Sequence, residues 1–374
     1  MIRGEIVWFF AYDVGFECRM EAAAARLAGR SGFRKPQPYR GTPQGAAIYT
    51  PLELDLPTAR HAGPPAIEGV RRTARIYSMG AVSVALRLPF EEESLDELLP
   101  ACLIGEIEDS EIRALARASA EEVVRELGDT LVRPQPAWDR CEAYKVICVT
   151  EAPGMEDGAR KWLAAHRADV AALLLGEGPA VDLAAEQVDE SLRLAYSFTE
   201  SDIAVVDWNG MLALDPSAEY EELLHVAEVA NLQMAELRAH DALLDRAIDR
   251  AYDDMESQGR RPALFRNSVR LLHDLREQRI ELARIADEIL NLSKYFGDWH
   301  LARIYEALSQ RFHLAEWEEQ LERSLRTVDS LYEMITKEIF DRRMLILEAM
   351  IVGLFVLDLV IIGVQLLYQA HAAG

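Results

Sequence analysis

This 374-residue chain lacks the short devices by which many enzymes can be read from sequence. It has no GxGxxG or Walker A loop to cradle phosphate, no HExxH or EF-hand loop to hold a metal, and no GxSxG elbow to present a serine nucleophile. Its four cysteines, Cys18, Cys102, Cys141 and Cys148, show neither CxxC spacing nor a crowd of nearby histidines. Scattered thiols of that kind read as buried core residues in a reducing compartment, not as zinc ligands. No motif implies a cofactor or a metal, and no enzymatic reaction is legible. Positive charge is also scarce: 40 Lys and Arg face 63 Asp and Glu, for a formal charge of −23. That balance argues against nonspecific nucleic-acid binding by the molecule as a whole. Met1-Ile2-Arg3 runs straight into a strand-like segment with no signal or transit peptide, so the expected location is a bacterial cytoplasmic membrane.

What the chain does have is a long apolar run. Met344 to Tyr368 reads MLILEAMIVGLFVLDLVIIGVQLLY, 25 residues, enough at ~1.5 Å per residue to cross a hydrocarbon core of ~30 Å. The central Asp358 costs ~3 kcal/mol on insertion, whereas sixteen Leu, Ile, Val and Phe residues return ~0.3–0.6 kcal/mol each. A buried core helix would carry a polar face that this segment does not supply. The reading is therefore a tail-anchored, single-pass protein. Arg342 and Arg343 stand at the near end with no Lys or Arg beyond, which keeps the N-terminal bulk in the cytoplasm.

Upstream, strand-like and helix-like segments alternate and predict an α/β or α+β head domain over residues 1–214. Strands are expected at Glu5–Tyr12, Arg75–Leu88, Ala143–Thr150, Ser191–Tyr196, Ile203–Asp207 and Gly210–Leu214, the last two joined by a Trp208-Asn209-Gly210 hairpin turn. Helices fit Val14–Gly29, Ser94–Leu103, Ser110–Leu127 and Asp157–Leu174, with Ser110 as a cap. The proline- and glycine-rich stretch Ser31–Pro65 reads as loop with one short strand around Ala46–Leu54. Pro216 closes the head, and residues 217–343 read as an all-α stalk. A heptad seam from Leu223 to Met255, with Asp241 as its exception, and a second from Leu271 to Phe296 predict an antiparallel hairpin of coiled-coil type. A short helix over Gly297–Phe312 follows, and the last amphipathic helix runs without a break into the membrane segment at 344–368.

Four groups of residues are candidates for function. The sharpest, Lys294 to Arg303, gathers Lys294, Tyr295, Asp298, Trp299 and Arg303 where two helices meet. Polar-tipped aromatics beside opposite charges make a recognition site. The plainer reading is a helix corner in which Asp298 caps, Trp299 and Phe296 plug, and Arg303 pairs with an acid. A second cluster, Tyr196 to Asp202, carries Tyr196, Ser197 and Glu200 between two strands and reads either as a binding turn or as a polar turn without catalytic partners. Asp358 and Gln365, seven apart, share a helical face inside the membrane segment. An intramembrane carboxylate needs a partner from another chain or another protein, which points to self-association through that face, or else Asp358 is protonated and passive. Finally, Ala22–Phe90 holds ten basic residues against three acids, and Arg71, Arg72 and Arg75 are candidates for contact with a ribosome, RNA or lipid headgroups, or else a solvated surface.

Three stretches taken together carry a family likeness: Tyr77-Ser78-Met79-Gly80-Ala81-Val82-Ser83-Val84 before the acidic helix Glu91–Leu99, the YSFTESDIAVVDW run within Leu192–Asp207, and Lys294–Phe312 followed by Arg342–Leu357 with its Leu347-Glu348. Their order resembles the family named "required for meiotic nuclear division", over about residues 75 to 368. The resemblance implies a C-terminal membrane helix, with eukaryotic relatives in the mitochondrial inner membrane that support translation as oligomeric tethers. It brings no catalytic residues. The chain departs from those relatives in lacking an organelle leader. The sequence thus leads to a non-enzymatic, self-associating membrane scaffold or tether. The alternative is a membrane-bound enzyme or small-molecule sensor with a pocket between head and stalk, which would require convergent titrating groups in a deep pocket.

Overall fold

The computed structural model describes residues 1–35, 50–62, 67–134, 138, 140–178, 181–258 and 298–372. The chain forms two compact units, one of Met1–His240 with Ala286–Glu319 and the other of Asp241–Ile285 with Gln320–Gly374.

The first unit is built on a mixed sheet whose centre is β1 (Ile2–Asp13). Its sequence is a nearly continuous apolar run because both faces are covered. Ile6, Trp8, Phe10 and Tyr12 enter one large core, and Ala11 faces a smaller one on the other side. On either side of β1 lie, antiparallel to it, β6 (Ala81–Glu92) and β8 (Cys141–Glu151). Outward from β6 come β5 (Ile67–Ile76), β4 (Leu52–His61) and β3 (Phe33–Arg34). Outward from β8 come β11 (Gly210–Leu214), β10 (Ile203–Val206) and β9 (Ala195–Tyr196). Only the β8–β11 pairing is parallel among these nine described strands. A two-stranded ribbon pairs β2 (Gly15–Cys18) with β7 (Leu131–Pro134).

One face of the sheet is packed by α1 (Met20–Leu27), α2 (Leu95–Leu103), α3 (Glu111–Leu127), α4 (Ala159–Ala165), α5 (Arg167–Leu175) and α6 (Ala185–Ser191), all of which contribute to the large core. Each large aliphatic or aromatic side chain buried there stabilises the fold by ~1.5–3 kcal/mol. The opposite face is covered by the first part of α7 (Glu221–Gln258), whose Leu232 and Ala235 pack against Ala11, Tyr77 and Ala81. Every α7 residue from Leu224 to Leu237 is buried. A two-sided heptad seam does not describe such a helix, because it is enclosed all round. The head therefore does not close at Pro216: the start of α7 and the helix α8 (Trp299–Arg311) belong to the same unit as the sheet. The second seam, Leu271–Phe296, lies outside the described residues.

Four expected boundaries differ for identifiable reasons. Arg75–Leu88 is not one strand but the end of β5, a turn and the start of β6. Gly80 turns the chain at φ +85, where a Cβ would stand 1.9 Å from the Gly15 carbonyl oxygen. The helix expected over Val14–Gly29 yields its first turn to β2, and the one over Asp157–Leu174 breaks at His166 into α4 and α5. Among the described residues of Ser31–Pro65, the ten of Leu52–His61 form β4, which contains Pro57 at an irregularity in its pairing, where a missing N–H is tolerated.

Between sheet and α7 runs a buried ionic network that apolar patterning does not show. Glu5 of β1 accepts from Arg71 (2.5 Å), Arg87 (2.9 Å) and the Tyr220 hydroxyl (3.2 Å), and Arg87 also grips Glu221 through two bonds. Arg75 reaches Glu53 at 2.7 Å and pairs with Glu228, a side chain with 0% exposure. Burial opposes the Arg75 charge, but Glu228, Tyr77 and Glu53 outweigh it and hold the guanidinium protonated above its ordinary range.

In the second unit, Leu244, Leu321, Val328 and Leu331 are buried, with Ser324 among them. The last helix, α9 (Leu314–Ala372), is continuous over 59 residues, as the unbroken pattern foretold. Within it Met344–Gly363 has a mean hydropathy of 2.7, with none of its most apolar window buried. By length and composition that segment is long and apolar enough to cross a membrane.

Candidate functional site

Two of the sequence clusters, about a hundred residues apart, meet in the first unit. The turn between β9 and β10 is organised by Asp202, whose carboxylate accepts from the backbone N–H of Phe198 and of Thr199, each at 2.8 Å. The Thr199 hydroxyl donates to the same carboxylate and lies 3.0 Å from the Ser201 hydroxyl. These short polar side chains satisfy the backbone of a tight turn. The apolar member is pushed outward, leaving Phe198 72% exposed. Ser197 Oγ is buried with no hydrogen-bond partner among the described residues.

Facing this turn is the start of α8. Asp298 adopts the extended backbone of a cap and accepts from the N–H of His300 (2.7 Å) and of Leu301 (3.2 Å), as the corner reading required. Two details of that reading are overturned. Trp299 does not plug the corner, since 79% of it is exposed. Arg303 lies over the Tyr196 ring, 4.7 Å from its centroid, in a cation–π contact. The helix is held below by Ile304, Tyr305, Ala307 and Leu308, and the Tyr305 hydroxyl is 2.5 Å from Gln233 of α7. That buried stripe turns Trp299 and Arg303 to the surface. The His300 ring lies 5.4 Å from that of Phe198. Burial pushes the imidazole below its ordinary pKa, Asp202 and Asp298 oppose that shift, and Arg303 adds to it. The joint surface thus consists of Tyr196, Phe198, Trp299, His300 and Arg303. Lys294 and Tyr295 lie outside the described residues.

Glu200 and Ser201 of the same turn line an open cleft of about 640 Å³. Ala152, Met155 and Pro216 are among its apolar lining, and Glu151, Glu156, Asp157 and Glu200 are its acidic lining residues. The backbone N–H of Ala159, at the start of α4, donates to the Glu200 carbonyl at 3.1 Å and fixes the turn to that helix. Among the described residues no group of three or more His, Cys, Asp or Glu is placed to hold a metal ion. The thiols are buried or half-buried, and burial pushes Cys102 up to about 12 and Cys141 up to about 11, far from nucleophilic at neutral pH.

The three arginines proposed as a basic surface are engaged elsewhere. Arg71 is exposed but bonded to Glu5. Arg72 donates to the Pro57 carbonyl (2.7 Å) and the Ser119 hydroxyl (2.9 Å). Arg75 is turned inward to Glu53 and Glu228. Asp358 lies in the exposed apolar part of α9, and Gln365 falls within the same helix. Sequence reading missed the ionic network. Its trace was present in Glu5 inside an otherwise apolar strand and in His225 and Glu228 inside an apolar seam. It also missed Lys145, fully buried, whose amine reaches Glu106 (2.5 Å) and the Cys102 carbonyl (3.2 Å) under the Trp8 ring.

Comparison with known proteins places these residues in context. Residues 3–221 match the family described as "Uncharacterized protein MJ0711, N-terminal domain". The protein of that name from Methanocaldococcus jannaschii is 27% identical over 176 residues, 47% of this chain and 53% of the relative. The match therefore spans about half the length of that curated relative.

Proposed function

Because the chain belongs to the MJ0711 N-terminal domain family, and because its family domain coexists with an exposed apolar helix, we propose that it is a non-enzymatic, membrane-anchored scaffold. The observation that carries this reading is Met344–Gly363. Leaving its Leu, Ile, Val and Phe side chains in water forfeits ~1.5–3 kcal/mol apiece, and a bilayer removes that penalty. Arg342 and Arg343 set the α/β unit on the cytoplasmic side. Asp358, a carboxylate inside the apolar segment, supplies a reason for chains to associate, since it gains a partner only from a neighbour. The Tyr196–Arg303 surface fits the same role. Its acids are spent on capping a turn and a helix, and its rings are left to solvent, which is the composition of a contact surface. The resemblance to the family required for meiotic nuclear division extends the proposal to a tether associated with translation. A ribosome or RNA contact through Ala22–Phe90 is the weaker variant, because Arg75 does not reach solvent freely.

Ultracentrifugation of cells producing the full-length chain tests the anchor. The protein is expected in the pellet, resistant to an alkaline carbonate wash and released by detergent. Recovery in the supernatant without detergent refutes it.

A further inference from the structure

We infer that the surface formed by Phe198, Trp299 and the Tyr196–Arg303 pair docks a basic, aliphatic- or aromatic-bearing segment of another polypeptide. This inference deepens the scaffold reading by giving the chemical character of its partner. The starting point is the exposure of two large rings, Phe198 at 72% and Trp299 at 79%, on an otherwise well-packed unit. Phe198 is held by the Asp202-capped turn and by the His300 ring, and the Trp299 backbone is fixed as the first residue of a helix capped by Asp298. Rigid exposed aromatics lose little conformational freedom on binding and serve as anchors.

Charge complementarity chooses the occupant. The turn that carries Phe198 also carries Glu200 into the neighbouring cleft, where Glu151, Glu156 and Asp157 join it. Of these, Glu151 already bonds Arg3 at 3.0 Å, so three acidic residues are left at the cleft without an ion pair described. In the cleft an acidic side chain meets repulsion, whereas a Lys or Arg side chain lays its aliphatic stem along Ala152 and Pro216 and its cationic head near the acidic residues. The volume of about 640 Å³ is far larger than a single ion requires and suits a stretch of side chains. The chain's own charge of −23 adds long-range attraction for such a partner.

The test uses the full-length protein in detergent micelles or nanodiscs and fluorescein-labelled peptides of about ten residues read by anisotropy. One peptide alternates Lys or Arg with Leu and Phe, a second replaces each basic residue by Glu, and spermine is the unlabelled competitor. The basic peptide is expected to bind with an affinity that falls as salt rises. Phe198→Ala with Trp299→Ala is expected to weaken it at least tenfold, and Glu200→Gln with Asp157→Asn to weaken it severalfold. All four positions are on the surface, and unchanged circular dichroism will confirm that the variants fold. Equal binding by wild type and by both variant pairs, equal binding of the acidic peptide, no binding of the basic one, or displacement by spermine at matched charge concentration would each overturn the inference. Because binding is read in micelles, its failure is separate from a failure of the membrane anchor, which fractionation alone decides.

Discussion

Removing the Arg75 guanidinium should damage the protein more than removing its carboxylate partner, and the asymmetry follows from who is left behind. In Arg75→Met, Glu228 stays at 0% exposure and loses its one described ion-pair partner, while Glu53 retains Arg34 at 3.4 Å. An unpaired buried charge costs ~3–5 kcal/mol. In Glu228→Gln the amide keeps the shape, and Arg75 keeps Glu53 at 2.7 Å, so the loss falls to ~1–3 kcal/mol. The double variant Arg75→Met/Glu228→Met removes both charges and should recover most of the Arg75→Met loss, to within ~1–2 kcal/mol of wild type. At ~2–4 °C per kcal/mol for a unit of this size, Arg75→Met should lower the unfolding midpoint by ~6–20 °C. Thermal unfolding of the full-length chain in a mild nonionic detergent, followed by near-ultraviolet circular dichroism of the sheet aromatics, reads these shifts. The reasoning fails if the two single variants lose equal stability, or if the double variant loses the sum of both.

Two further outcomes are expected. Burial, with Arg75 nearby, pushes the His225 imidazole down to about 3, so the folded state holds it neutral while the unfolded chain takes up a proton below ~6.5. Stability from this group is therefore full above ~6.5 and lost as pH falls toward 3, by ~3 kcal/mol at pH 4. His225→Asn should flatten that part of a pH–stability curve, and an unchanged acid limb would refute the assignment. Asp358→Leu should abolish crosslinking between chains in detergent-free membranes while leaving them membrane-bound, and undiminished crosslinking would remove Asp358 from the assembly.

The sheet was legible wherever a strand is buried on both faces or bounded by a strong turn. EIVWFFAY and AYKVICVT could only be interior strands, and Trp208-Asn209-Gly210 does join β10 to β11. Legibility failed where one residue overrides its neighbours. Gly80 splits an apolar run that otherwise looks continuous, and Pro57 sits within a strand because the pairing there is irregular. Heptad steps in α7 were real, yet a helix enclosed on all sides also satisfies them, and only the partners of Glu228, Asn231 and Gln233 separate the two cases. At the candidate site the sequence supplied both halves but not their meeting. The stacking of Arg303 on Tyr196 depends on α8 lying beside β10, a contact that no local pattern encodes.

Among the described residues, the strands at either end of the sheet, β3 and β9, are two residues long. Unpaired backbone is what lets one molecule zip onto the next, and an end strand of two residues itself offers little of it. On the anchored reading proposed above, copies of the chain crowd into the thin layer beside a bilayer, and end strands this short limit backbone-to-backbone zipping while leaving side-chain surfaces free to choose their company.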